Sequence, residues 1–278
     1  MRPDLTSLRG LAEQLAREAG ELALAGRRRH GIGTPVGHDT KSSDTDPVTE
    51  FDRAAERLLV DGIRSRRPDD SIVGEEGADH RGTSGVVWQL DPIDGTANFV
   101  YDLPSWCTSV GVEDDSGRGL AAAVYVPVTN ELYSAAAEQG ATLDGVALRA
   151  SSATSLGRSL VATGFSYRPE RRAQQADRLA HLLPIVRDVR RSGSAAIDLC
   201  LVASSRVDAY FEDHLNSWDV AAGLLIASEA GATASDLRGG PPTTSEVLVC
   251  APGVHADLLS ALVAHSSGTT ADARRTVR

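Results

Sequence analysis

The run Asp91-Pro92-Ile93-Asp94-Gly95-Thr96 sets two carboxylates, a carbonyl and a glycine side by side. It follows the apolar stretch Val86, Val87, Trp88, Leu90 and precedes the helix-compatible segment Ala97 to Tyr101, so both carboxylates leave a strand end together. Hard divalent cations such as Mg²⁺ take carboxylate and carbonyl oxygens and complete their shell with water and phosphate oxygens. Asp91, Asp94 and the carbonyl of Ile93 supply that oxygen set. Gly95 lets the backbone approach an anion, and the amides of Gly95 and Thr96 at a helix start would point at a phosphate. Two further acids stand in comparable places: Glu75, with Glu76, after the run Ser71 to Val73, and Asp219, after Trp218, at the head of an apolar helix. Each also has an ordinary explanation taken singly. Asp-Gly makes hairpin turns, Asp219 can be a helix-start acid worth about 1 kcal/mol, and Glu75 can be a solvated strand-end charge.

The elements that must position these groups are legible from periodicity. Leu5, Leu8, Leu15, Ala19 and Leu22 predict an amphipathic helix to about Arg27, and Phe51, Ala55, Leu58, Leu59 and Ile63 a second, with Asp52 near its start. The Gly-, Ser- and Asp-rich stretch from His30 to Asp46 between them reads as a loop. Short β-like runs follow at Ser71–Gly74, Val86–Asp91, Cys107–Glu113, Leu120–Val128 and Glu131–Ala137, which predict an antiparallel meander. From Ser159 the pattern changes to strands at Ser159–Thr163, Asp208–Phe211 and Val247–Cys250, alternating with helices at Glu170–Leu183, Ala195–Ser204 and Trp218–Ala230. A last helix is expected to end near His265.

Composition bounds the function classes. The 278 residues are 41% hydrophobic, 24% charged and only 4% aromatic, an ordinary folded chain whose core is built from Leu, Val, Ile and Ala. Lys and Arg number 28 against 38 Asp and Glu, a net charge of −10, which argues against a broad footprint for nucleic acid or anionic membrane. Arg27-Arg28-Arg29 is too short a run to overturn that. Any anion the protein handles must be met by imported cations. Cys107, Cys200 and Cys250 form no CxxC pair and read as free buried thiols in a reducing, cytoplasmic compartment. No stretch is apolar enough to span a membrane.

In order along nearly the whole chain, these motifs resemble the inositol monophosphatase family of the Mg²⁺-dependent, lithium-sensitive phosphatase superfamily. The resemblance is carried by Lys41 with Asp46-Pro47-Val48-Thr49-Glu50-Phe51-Asp52, then Gly74-Glu75-Glu76-Gly77 and Asp91 to Phe99. It continues through Arg191-Ser192-Gly193-Ser194-Ala195-Ala196, Asp208-Ala209-Tyr210-Phe211-Glu212 and Trp218-Asp219-Val220-Ala221-Ala222-Gly223. It implies that Glu75, Asp91 and the Ile93 carbonyl hold one Mg²⁺ and that Asp91, Asp94 and Asp219 hold a second, with a third ion allowed. Such a metal pair stabilises the attacking and leaving oxygens of an in-line displacement. Thr96 and Asp52 are the implied catalytic residues, orienting the attacking water. On the substrate side the resemblance names Glu75, Ile93, Asp94, Gly95, Thr96, Gly193, Ser194, Ala195, Glu212 and Asp219. Gly193 to Ala195 would offer free amides at a helix start, and Glu212 would accept from ring hydroxyls. Glu212 also reads as an exposed strand-end acid, and Lys41, near the implied metals, as a solvated loop lysine. Ala97 and Asp213-His214-Leu215-Asn216 depart from the family pattern.

The implied fold is α+β, a layered α-β-α-β-α sandwich. Its antiparallel-rich sheet occupies the N-terminal half (about 1–150) and a smaller α/β unit the C-terminal half (about 151–268), with a disordered tail at 269–278. The implied activity is Mg²⁺-dependent hydrolysis of an inositol monophosphate, in a homodimeric, cytoplasmic, lithium-sensitive enzyme. Histidinol phosphate, fructose 1,6-bisphosphate and phosphoadenosine phosphate are alternative substrates for the same chemistry. Glu212 and the Gly-Ser-Ala-Ala turn favour inositol, and 193–219 offers few of the basic or aromatic residues a bisphosphate or nucleotide would ask for. A reading of another class is a regulatory partner of RNA or the transcription machinery, against which the acidic charge speaks.

Overall fold

Helix α1 (Leu5–Arg29) starts at Asp4, whose side chain accepts the Thr6 amide at 3.1 Å, and closes with Arg27, Arg28 and Arg29 at the negative end of its dipole. The computed structural model describes residues 4–41 and 47–272. Strands β1 (Asp39–Thr40) and β2 (Pro47–Val48) pair antiparallel, so the expected loop carries a short strand; Asp46 lies outside the described residues. Helix α2 (Glu50–Arg66) opens on a reciprocal cap. The Thr49 side chain accepts the Phe51 and Asp52 amides while Asp52 accepts the Thr49 amide at 2.8 Å.

Next come β3 (Ser71–Gly74), β4 (Asp79–His80), β5 (Val86–Asp94), α3 (Thr96–Val100), β6 (Cys107–Asp114), β7 (Gly119–Val126), β8 (Glu131–Ala136), β9 (Ala141–Leu143) and β10 (Val146–Ala147). They form one eight-stranded sheet in the order β10-β9-β8-β7-β6-β5-β3-β4. From β5 to β10 this is the expected antiparallel meander, but β3 runs parallel to β5. The chain between them goes out to make β4 at the sheet edge before it returns, and that excursion reverses the pairing sense.

The C-terminal half contributes β11 (Leu160–Thr163), α4 (Pro169–Leu182), β12 (Asp188–Arg190), α5 (Ala195–Ala203), β13 (Ala209–Asp213), α6 (Ser217–Glu229), β14 (Thr233–Ser235), β15 (Glu246–Cys250) and α7 (His255–Asp272). Its five-stranded sheet has the order β12-β11-β13-β15-β14, parallel across the first three strands and antiparallel after them. No proline interrupts the small, polar residues after His265, and α7 runs past its expected end to Asp272; residues 273–278 of the expected tail lie outside the described residues.

Period-two alternation sorts the strands into layers. On β7, Ala121, Ala123 and Tyr125 pack with Leu8, Leu15, Leu59 and Ile63 of α1 and α2, while Ala122, Val124 and Val126 pack with Leu199 of α5 and Ile226 of α6. On β15, Val247 and Val249 join that same middle core, and Leu248 and Cys250 face Leu182 of α4 and Leu258 of α7. The result is the layered α-β-α-β-α sandwich, with α5 and α6 between the sheets. All three cysteines are buried and free. Among the described residues no helix is long and apolar enough to cross a membrane.

Candidate active site

Residues three apart on a regular strand face opposite sides, yet Asp91 and Asp94 line one cleft. The pairing of β5 with β6 explains it. Asp91 opposes Ser109 and Asp94 opposes Cys107, so the register slips by one residue between them and the parity changes. Pro92, which has no amide to give a ladder, sits in that bulge. Gly95 then turns the chain into α3 with φ +96°, where a Cβ would come within 2.9 Å of the Ser105 carbonyl.

Glu75 reaches the same cleft from the end of β3, and Asp219 from the first turn of α6. The turn after β3 is shaped by the buried Glu56, which accepts the Glu76 and Ala78 amides at 2.8 and 3.0 Å. Lys41 donates to Glu75 Oε1 at 2.9 Å and also to Glu76, so it is an ion-paired residue of the cleft and not a solvated lysine. Asp219 does cap its helix, accepting the Asn216 amide at 2.6 Å through Oδ2, and it lines the cleft as well. Asp94 Oδ2 accepts from Ser194 Oγ and the Ala196 amide, both at 2.7 Å.

Burial raises the pKa of all four acids. For Asp91 it is reinforced by the charges of Glu75, Asp94 and Asp219, and for Asp219 chiefly by Asp94. For Glu75, Lys41 works against it, and for Asp94, the hydrogen bonds from Ser194 and Ala196 do. One oxygen of Glu75, Oε2, is buried without a partner. Four acids that cannot all ionise together, with an orphaned oxygen among them, are an all-oxygen donor set suited to a hard cation. Among the described residues no three His, Cys, Asp or Glu side chains close into a ready-made cage. Mg²⁺ keeps several waters and is normally held by one or two carboxylates, so its donors need no such closure.

Beside this wall lies a hydroxyl-carboxylate pair. Thr96 Oγ1 lies 3.2 Å from Asp52 Oδ1 and 3.0 Å from the Ile93 carbonyl. Asp52 is fully buried, and that burial lifts its pKa to about 6 although both hydrogen bonds from Thr49 oppose the rise.

The helix start at Gly193 to Ala195 is less open than expected. Ser194 caps α5 by accepting the Ile197 amide, and the Ala196 amide goes to Asp94. The turn presents Gly193, Ser194 and Ala195 to the cleft, but the helix-start amides beyond them serve the protein. Glu212, at the end of β13, is half-buried and accepts from Tyr210 Oη at 2.7 Å; burial pushes its pKa to about 7. Gly164 packs so tightly on it that a Cβ would stand 1.9 Å from Oε2.

Asp198, Arg168 and Arg171, all in the cleft, had not been anticipated. Asp198 is 1% exposed, with Oδ1 unpartnered and its pKa pushed up to about 8 by burial. A lone acid inside the apolar helix Ala195–Ala203 was the available signal. Arg168, Arg171 and Arg191 line the cleft too, and nothing in their local sequence marks the first two. The departure Asp213 proves structural: it pairs with Arg178 at 2.9 Å and tethers α4 to β13.

The chain is similar to known proteins along nearly its whole length. The profile of the inositol monophosphatase family matches residues 4–268. Inositol-1-monophosphatase of Mycobacterium leprae is 46% identical, over 93% of this chain and 94% of that protein. Nus factor SuhB of Salmonella typhimurium is 40% identical, over 86% of this chain and 87% of that one. The solved structure of Mycobacterium tuberculosis SuhB superposes with a TM-score of 0.81 at 41% identity, covering 95% of this chain and 98% of that chain.

Proposed function

The chain belongs to the inositol monophosphatase family, a family of phosphatases, and from that premise we propose that it is a Mg²⁺-dependent phosphomonoesterase that hydrolyses inositol monophosphate to inositol and phosphate. One observation carries the reading: mutually repelling carboxylates from the end of β3, from β5 and from α6 share a cleft with Glu212 and with Thr96, whose hydroxyl donates to the buried Asp52 behind it. Glu75, Asp91 and the Ile93 carbonyl would hold one cation, and Asp91, Asp94 and Asp219 another. When bound, such cations lower the pKa of an attacking water and offset the charge that builds on the leaving oxygen.

The remaining work falls to the protein. Thr96 Oγ1 donates to Asp52 and keeps lone pairs free to accept from a water, which orients that water toward phosphorus. Asp52, with a pKa of about 6, is matched to take the proton near neutral pH. Glu212, braced by Tyr210, accepts from ring hydroxyls, which favours a polyol leaving group. Lithium inhibition, a homodimeric state and a cytoplasmic location belong to the same proposal.

A second reading is favoured by the relatives named Nus factor: this chain also binds RNA or the transcription machinery. Phosphate release from inositol 1-phosphate tests the first reading. It should require Mg²⁺, stop on chelation and exceed release from histidinol phosphate and phosphoadenosine phosphate. No release at any Mg²⁺ concentration, together with an RNA mobility shift, would favour the second.

A further inference from the structure

The cleft is built from both halves of the chain, and one buried side chain with no part in the chemistry above ties the halves together. Asn98 is 7% exposed and lies in the short helix α3. Its Nδ2 donates to the Ser105 carbonyl at 2.5 Å, on the loop after α3, and to the Ser192 carbonyl at 2.9 Å, on the turn before α5. A primary amide has two N–H donors, and both are spent here on backbone acceptors. Asparagine is a weak helix former, and both of these bonds leave the helix that carries it. Asn98 itself is not one of the residues that line the cleft.

The turn that Asn98 holds bears on a proposed cation ligand. Ser192 Oγ accepts the Ser194 amide at 3.2 Å and donates to the Ser194 carbonyl at 3.1 Å, which fixes Ser194. Ser194 Oγ and the Ala196 amide in turn donate to Asp94 Oδ2, so these two bonds set how the Asp94 carboxylate faces the cleft. The fit between the two turns is close. A Cβ on Gly193 would stand 2.7 Å from Asn98 Nδ2, and one on Gly95 would stand 3.2 Å from the Gly193 carbonyl.

We infer that Asn98 is a positioning residue. By holding the Ser192 carbonyl it seats residues 192–195 of the C-terminal half against residues 91–96 of the N-terminal half, and so orients Asp94 for its cation and Gly193 to Ala195 for the substrate. It acts through Ser194 and the backbone beside it. The kinetic arm of the test rests on the phosphomonoesterase reading, and the binding arm needs only the cation site.

The test compares the parent, Asn98→Ala, Ser194→Ala and the double variant, all below their Tm, by calorimetric titration with Mg²⁺ and by phosphate release from inositol 1-phosphate. Asn98→Ala should weaken Mg²⁺ binding roughly tenfold or more, the order lost when a partner of a metal ligand is removed. The Mg²⁺ concentration for half-maximal phosphate release should rise in step. Because both residues act on Asp94 through one turn, the double variant should lose less than the product of the single losses. A lower Tm in chelator with unchanged Mg²⁺ affinity, or losses that simply multiply, overturns the inference and leaves Asn98 a residue of the fold alone. If circular dichroism shows Asn98→Ala unfolded, Asn98→Ser, which keeps one donor, takes its place with the same two outcomes. Should inositol 1-phosphate release no phosphate from any variant or the parent, the phosphatase reading fails while Mg²⁺ titration still decides Asn98. A parent that binds no Mg²⁺ overturns the inference as well.

Discussion

Asp91 is 2% exposed, and its charge meets those of Glu75, Asp94 and Asp219 at once. Asp91→Asn keeps the shape and the oxygen that accepts the Ile93 amide at 3.1 Å, but removes the repulsion and a donor common to both proposed cations. Turnover should fall at least ~10²-fold, as when one preorganised electrostatic group is lost, while the Tm of the metal-free protein should hold or rise. Near-normal turnover, or a collapse of the fold, would mean that Asp91 is not a ligand shared by two cations. Glu212 calls for a different comparison. Glu212→Gln weakens acceptance from ring hydroxyls, so kcat/KM for inositol 1-phosphate should drop more than for an aryl phosphate that has none. Equal losses on the two would take Glu212 out of substrate recognition.

Each cleft residue owes its place to an element, and α6 shows how closely. Gly111 of β6 lets α6 lie directly on the sheet: a Cβ there would stand 2.7 Å from Ala221 Cβ and 3.0 Å from the Ala222 amide nitrogen, both rigidly held. Gly111→Ala must therefore push away the helix whose first turn carries Asp219. The expected cost is about 1–3 kcal/mol, read as a lower Tm, together with weaker Mg²⁺ activation. Unchanged Tm and activation would mean that α6 is free to move. What the sequence disclosed and what it hid divide along the same line. Asp91, Asp94, Glu75 and Asp219 were legible because chain-local motifs at strand and helix ends hold them. The helices and most strands followed from periodicity. The parallel pairing of β3 with β5 was hidden, since the excursion through β4 has no local mark. Arg168 and Arg171 were hidden because a Pro-Glu-Arg-Arg helix start looks like any solvated face until α4 is tethered through Asp213. Asp198 left a trace, an acid amid apolar helix residues, but the carboxylates whose charges act on it, Glu212 and Asp94, lie on other elements.

At the scale of the whole molecule, the cleft sets a bias that should appear in stability before any substrate is added. Burial raises the pKa of Asp52 to about 6, of Glu212 to about 7 and of Asp198 to about 8. An acid whose pKa is higher folded than unfolded binds its proton more tightly in the native state. Its stabilising contribution is complete below the unfolded pKa, near 4, and is lost as pH climbs through the folded value. Some surface acids act in the opposite sense, such as Glu131, held below its usual range by Arg206, and favour the fold only once ionised. The net charge of −10 at pH 7 adds general repulsion as pH rises. The metal-free protein should therefore be most stable near pH 5 and lose Tm steadily toward pH 8. A divalent cation binds the ionised carboxylates of the native state alone, so added Mg²⁺ should raise Tm most at pH 8 and least at pH 5. Denaturation scans across that interval, with Mg²⁺ and with chelator, measure both slopes. A Tm independent of pH in chelator would show that the buried acids are compensated without a cation. A Mg²⁺ increment as large at pH 5 as at pH 8 would place the ion away from the cleft carboxylates.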